Sequence, residues 1–505
     1  MAFPATMAMV PGHSLGPFVL GASLHEVLTL VKTDSEQYPA ISLHHSQVEP
    51  LNAPVIVSLP DNGLRLQFDG PDQRLRLIEV LDFRNLKLQH KGSDLIKTHD
   101  DIPPTSGPVF KRVYTLLGPS YPGEYAPPQD HSPHGIYVLS WHGVAFNFPV
   151  LHAAWSPDKD FVSLLGSHIA SPAASLALLA GKSWPEARRD LFVTPLSTPR
   201  LSALASRPKD SLPAEIEHAV VQRAGAVDLV RRAPAGSFTI VLNETTAQDL
   251  TAELGPPDAT HRRQERVAAP LGRDSHVRNG SSSRPRSNGR AFAGSQPSSY
   301  SSTGTDTFET DFDSGGAEED AGDRALRQRF WCYFTQGLDI LVGPPEDTAA
   351  RAADGTPRTP LGTSPHLVVL RVVIHGNVPG SYAFNRHRRL RWSLTPPGDP
   401  GASSSSSSST LTSEQHFDDD IHPVLLAAHA KAGTETEMGR GKVVNRKWAE
   451  EEGSESSYFL PDAGEDLEDG GAGSDGWLGN TKLFAFPGLT FEVLGNGAVS
   501  VMTVC

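Results

Sequence analysis

A chain of 505 residues has room for two or three domains, but only 38% of it is hydrophobic and it carries 42 Pro and 45 Gly, so part of it is expected to stay outside any packed core. Its formal charge of −14 is concentrated in two base-free stretches, eight acids in 306–323 and ten in 450–475; without those eighteen the remainder is about +4, which leaves acidic partners open. Two cysteines, Cys332 and Cys505, make no disulfide framework and no zinc site, and the lack of an 18-residue apolar run excludes a membrane-spanning helix.

The opening MAFPATMAMVPGHSLG lacks the charged start and long apolar centre of a secretion signal, so the chain reads as cytoplasmic. In FVLGASLHEVLTLV, Ser23 and Glu26 have the spacing of a capping box, and Leu24, Val27, Leu28 and Val31 share one helical stripe. Val55 to Leu59, GLRLQF from Gly63 and RLRLIEVLDF from Arg74 follow as an antiparallel meander. A second helix is predicted from Pro108 through Val109, Val113, Leu116 and Leu117, with its stop at Gly118-Pro119. After it come Pro122-Gly123-Glu124-Tyr125 and the strands IYVLSW and GVAFNF, the latter led by Gly143. These two helix-plus-meander units occupy 16–150, and 151–236 is a connecting region of ambiguous pattern.

A third unit spans 237–392, where Thr245 and Gln248 stand as Ser23 and Glu26 do, Leu250 matches Leu28, and Gly255-Pro256 closes the helix. A Ser-, Gly-, Arg- and acid-rich insert, about 262–324, is predicted to be disordered. FWCYF and GLDILV then form a hairpin at Gln336-Gly337, and Leu367 to Ile374 is apolar at nearly every position, so both its faces should be covered. A Ser-rich linker, 393–416, leads to a fourth unit at 417–505, in which Asp418, Asp419 and Asp420 head the helix IHPVLLAAHA. An acidic insert of about 450–479 precedes the last meander, whose hairpin turns at Gly488. Gly63, Gly143, Gly337 and Gly488 thus lead four similar hairpins at uneven spacing. The expected fold class is α+β, with about four repeated helix plus antiparallel β-meander units and long disordered insertions.

The densest basic string is Arg386 to Arg391, just after Asn377, Pro379, Gly380, Tyr382 and Asn385. Guanidinium forks grip phosphate bidentately, so Asn377, Tyr382, Asn385, His387, Arg388, Arg389 and Arg391 are candidates for binding a partner or a phosphoinositide. Strand alternation would place Arg389 and Arg391 on one face with His387, and Leu390 and Trp392 on the other. The competing readings are a solvated strand face, a protein interface and a lipid-phosphate site. For Asn377, Pro379, Gly380 and Tyr382 the simpler reading is a backbone corner, echoed by Pro122 and Gly123.

Catalytic patterns are missing. Ser23 lacks the second glycine of a nucleophile elbow, and no phosphate-binding glycine loop occurs. A calcium-loop reading of Asp311 and Asp313 fails at Gly315 and Gly322. His44, His45, His131 and His134 have no compact partners at zinc spacing. No catalytic residue, metal, cofactor or nucleic-acid partner is expected.

LGASLHEVL, GLRLQFDGPDQRLRLIEV, PGEY, YFTQGLDILV and HGNVPGSYAFNRHRRLRW, in that order, give the chain its likeness to a known family. It resembles the phagosome assembly factor family at Tyr333, Phe334, Gly337, Asp339, Ile340, Leu341, His375, Asn377, Pro379, Gly380, Tyr382, Phe384, Asn385 and His387. The resemblance implies a non-enzymatic autophagy factor that pairs with a WD40-type β-propeller and is recruited to the phagophore assembly site. An older attribution of the family is to trans-Golgi traffic, and the alternative, resting on Arg386 to Arg391, is a peripheral Golgi module that binds anionic lipid through the basic strand face.

Overall fold

In the computed structural model the residues described are 5–96, 107–128, 132–194, 196, 214–222, 225–231, 236–262, 328–345, 366–395, 410–429, 441–445 and 480–505, and all structural statements concern these. Most of both predicted inserts, the Ser403 to Ser409 run, the calcium-like string and His131 lie outside them.

The first half begins β1 (Ala5–Val10), β2 (Ser14–Leu15), β3 (Phe18–Val19) and α1 (Leu24–Thr33). It continues with β4 (Ser42–His44), β5 (Val55–Leu59), β6 (Leu64–Phe68), β7 (Leu75–Val80), β8 (Leu86–His90) and β9 (Ser93–Asp94). It closes with α2 (Phe110–Leu117), β10 (Glu124–Ala126), β11 (His134–Trp141), β12 (Val144–Leu151), α3 (Phe161–Leu165), β13 (Ser175–Leu179) and α4 (Trp184–Asp190). The second half repeats the plan: β14 (Ile216–Val221), β15 (Ala226–Arg231), β16 (Phe238–Val241) and α5 (Ala247–Leu254). Next come β17 (Ala259–Arg262), β18 (Arg329–Tyr333), β19 (Leu338–Gly343), β20 (Val368–His375), β21 (Arg391–Leu394) and β22 (Leu411–Thr412). Last are α6 (His422–His429), β23 (Lys442–Asn445), β24 (Asn480–Phe486), β25 (Leu489–Val493) and β26 (Val499–Val504).

Each half pairs a five-stranded sheet with an eight-stranded one. The small sheets run β3-β2-β1-β8-β9 and β16-β15-β14-β21-β22, and the large ones β4-β5-β6-β7-β13-β12-β11-β10 and β17-β18-β19-β20-β26-β25-β24-β23. Strand for strand the two orders coincide. The parallel pair also recurs at the same place, β1 with β8 and β14 with β21.

The α+β class of four helix-plus-meander units is therefore corrected. Strand outweighs helix, 40% to 18%, and the meanders do not stand as separate units. β7 pairs with β13, and β20 with β26, fusing two meanders edge to edge into one antiparallel sheet in each half. A meander carries two unpaired edges, and this pairing removes one from each. The ambiguous 151–236 stretch supplies β13 at the centre of the first large sheet and β14 and β15 at the start of the second half.

Local chemistry explains the elements. Glu26 N donates to Ser23 Oγ at 3.2 Å and Ser23 N to Glu26 Oε2 at 2.8 Å, a closed capping box, and Leu24, Val27, Leu28 and Val31 are all buried. In α5 the box falls one residue later than the sequence pattern places it, on Thr246 and Asp249, because the Asp249 carboxylate accepts from Thr246 N at 2.9 Å. Thr245 instead accepts from Val241 N at 2.9 Å. Gly63, Gly143, Gly337 and Gly488 each sit at a hairpin turn with φ of +65°, +74°, +79° and +77°, the left-handed region that only glycine enters freely.

Candidate functional site

The joint between the halves is built by two connections, the turn from Asp69 to Arg74 between β6 and β7, and the corner from Gly376 to Leu390 between β20 and β21. Two amides lock them. Asn377 Nδ2 donates to Gln73 Oε1 at 2.8 Å, and Gln73 Nε2 donates back to the Asn377 carbonyl at 2.9 Å. Asn377 Oδ1 also accepts from Asn385 N at 2.7 Å, bracing the corner across its own width. Gln73, Asn377 and Asn385 hold φ of +50°, +45° and +61°, a region where asparagine is the tolerated side chain.

Apolar contacts follow the same line. Val378 is fully buried in a cluster with Leu51, Leu494 and Ala498, and Phe384 packs against the core of the first half. Gly376 has no room for a side chain, since a Cβ there would lie 2.7 Å from the Val499 carbonyl. Gly380 has φ +84° and completes the corner beside Pro379. The guanidinium of Arg386 lies over the Tyr382 ring at 4.7 Å.

The basic string then turns inward. Arg388 donates to Glu215, which Arg74 of the first half shares, and to the Ile216 carbonyl at 2.6 Å. Arg389 donates to the carbonyls of Pro71 and Gly376 at 2.6 and 2.9 Å and to Glu414 at 3.0 Å. Arg391 joins Glu414 at 2.8 Å to Asp72 at 3.2 Å. The residues Arg388 and Arg389 are each 3% exposed, so neither lies on a solvated strand face; β21 starts only at Arg391. Burial lowers both guanidinium pKa values, with Glu215 and Glu414 opposing it. Burial would raise Glu414, but Arg389 and Arg391 outweigh it and hold the carboxyl below its usual range. A charge enclosed this way is costly unless its own partners stay in place.

His387 leaves the string in another direction. Its Nε2 meets Asp339 Oδ1 at 2.7 Å, while His375 Nε2 meets Oδ2 of the same carboxylate at 3.0 Å. The two imidazoles stack at 3.7 Å and 3°. Among the described residues, these three side chains are the group whose geometry can hold a metal ion. Burial would raise the Asp339 carboxyl, but hydrogen bonds from both histidines hold it well below the carboxylate range. The residue reading names Asp339 and His375 only through the resemblance. The signal was in the pairing, because Asp339 stands opposite Val373 and His375 follows two residues later on the same sheet face.

Pro122 and Gly123 lead into edge strand β10, whereas Pro379 and Gly380 form a corner between β20 and β21, so the shared string serves two different positions. Ser23 is a helix cap, buried at 1%. His44 and His134 lie in β4 and β11, apart from the Asp339 group.

Sequence comparison supplies the family. The profile described as phagosome assembly factor 1 matches residues 14–268 and 317–505. The chain belongs to that family. It is 32% identical over 140 residues to a PHAF1 protein of Arabidopsis thaliana, covering 28% of this chain and 32% of the relative. A PHAF1 protein of Drosophila melanogaster is 28% identical over 190 residues, 36% of this chain and 40% of the relative, and one of Caenorhabditis elegans 30% over 132, 26% and 29%. Each aligned stretch thus spans well under half the length of the curated relative it matches. No solved structure matches the chain. Both connections of the joint, 69–74 and 376–390, fall inside the region that the phagosome assembly factor 1 profile covers. No helix among the described residues is long and apolar enough to cross a membrane.

Proposed function

We propose that this phagosome assembly factor acts without catalysis, as a protein-interaction module at the phagophore assembly site that pairs with a WD40-type β-propeller protein. The observation that carries the reading is the fate of the basic string. Arg388 and Arg389 spend their hydrogen bonds on Glu215, Glu414 and backbone carbonyls inside the chain, which leaves little of the string for phosphate. That favours protein recognition over the Golgi reading in which this string binds anionic lipid. Large sheets also offer what macromolecular docking uses, broad faces and strand edges. Ser23, the one serine at an elbow-like string, accepts from Glu26 N as a helix cap and is 1% exposed, which keeps its hydroxyl away from solvent.

The test is co-purification of the tagged full chain from starved and fed cells in mild salt, alongside flotation with vesicles containing phosphoinositide. A stoichiometric propeller protein, with puncta that form on starvation, supports the proposal. Flotation with vesicles and no propeller protein in the eluate contradicts it.

A further inference from the structure

Asp339 on β19 and His375 at the end of β20 project from the sheet face opposite the Leu338, Ile340 and Val342 core, and the corner brings His387 over them. All three donor atoms lie within 4.8 Å of one another. The side chains are 18%, 11% and 7% exposed, so the group is largely enclosed and Asp339 is its most exposed member. We propose that Asp339, His375 and His387 form a binding site for one divalent transition-metal ion, zinc being the best match, which staples the corner onto the second large sheet.

Two imidazole nitrogens and one carboxylate oxygen are a donor set that zinc accepts, with water completing the tetrahedron. Zinc bonds of roughly 2.0–2.1 Å set tetrahedral donors about 3.3–3.4 Å apart. His387 lies 2.7 Å from Oδ1 and His375 3.0 Å from Oδ2, so the contact to the oxygen that binds the ion opens by a few tenths of an ångström and the carboxylate turns to bring that oxygen to the second ring. The ring planes, parallel within 3°, tilt until both lone pairs converge on the ion. Among the described residues Asp339 forms its ion pairs with these two rings, so both imidazole nitrogens already converge on the carboxylate that would share the ion. His387 immediately precedes Arg388 and Arg389, so fixing its ring fixes the start of the string that joins the halves.

The full chain is stripped with chelator, dialysed against micromolar zinc, and its metal content measured by mass spectrometry. One zinc per chain is expected, with affinity at least about tenfold weaker in Asp339→Asn and His375→Gln and unchanged in His44→Gln. Zinc should also raise the melting temperature of the wild type but not of Asp339→Asn. Cobalt substitution of the wild type keeps the test independent of variant folding: intense visible d–d bands of a tetrahedral site are expected. Wild type that retains no zinc, zinc retained equally by Asp339→Asn, or cobalt that gives only the spectrum of the free aqueous ion overturns the proposal.

Discussion

His25 shows how single side chains police the joint. It is buried on α1, and its Nδ1 donates to the Asn385 carbonyl at 3.0 Å, a contact from the first half to the corner of the second. Burial drives its pKa down from 6.5 to about 4, opposed by the Asn385 hydrogen bond and assisted by nearby His387 and Arg388. The folded state therefore takes up its proton less readily than the unfolded chain. Stability from this residue is complete above pH 6.5, declines as pH falls through the window from 6.5 to 4, and levels off below it. At pH 5 the loss should be roughly 2 kcal/mol. Denaturant unfolding of the full chain at pH 7.5 and pH 5 measures it, and His25→Gln, which keeps a donor for Asn385, should lose less stability on acidification than the wild type. An identical pH dependence in the variant would show that His25 is not the source. Arg388 and Arg389 teach a related lesson. A run of cations reads as a patch in sequence, yet each guanidinium goes where backbone carbonyls and Glu215 or Glu414 await it, partners distant in sequence that residue spacing does not reveal.

Among the elements, the hairpins were the most legible, since a glycine following a strand-length apolar run has one economical use. Their glycines nevertheless differ in consequence. At Gly337 a Cβ would lie 2.5 Å from the Arg388 carbonyl, whereas at Gly488 the nearest atom is the Cys505 carbonyl at 3.6 Å. Gly488→Ala should cost only the positive-φ penalty, about 1–2 kcal/mol, and Gly337→Ala clearly more, because the corner must also shift. Equal melting temperatures for the two variants would contradict this. Helix α1 was legible to the residue, because Ser23 and Glu26 leave one pattern for the cap. The α5 cap was displaced by one residue because Thr245 and Thr246 are adjacent hydroxyls, and only Asp249 decides between them. β13 was not legible. Its five residues, SLALL, fit a buried helix turn as well as a strand, and its identity comes from pairing with β7 and β12.

For the whole molecule, local patterns gave repetition but the wrong unit. Each meander reads alike along the chain, and fusion through β7–β13 and β20–β26 depends on strands separated by about a hundred residues or more, which periodicity does not report. The result is one topology used twice, with the second copy's corner wedged into the first copy's turn by Gln73–Asn377, Arg389–Pro71 and Phe384. Two copies joined only by a loose linker would unfold independently. Joined by buried, mutually satisfied amides, they should unfold together. The direct measurement is scanning calorimetry of the full chain and of the Gln73→Ala, Asn377→Ala double variant, which orphans the Asn385 amide and the Asn377 carbonyl. The account predicts one cooperative transition for the wild type and two separated transitions for the variant. Two transitions in the wild type, or one undisturbed transition in the variant, would contradict it.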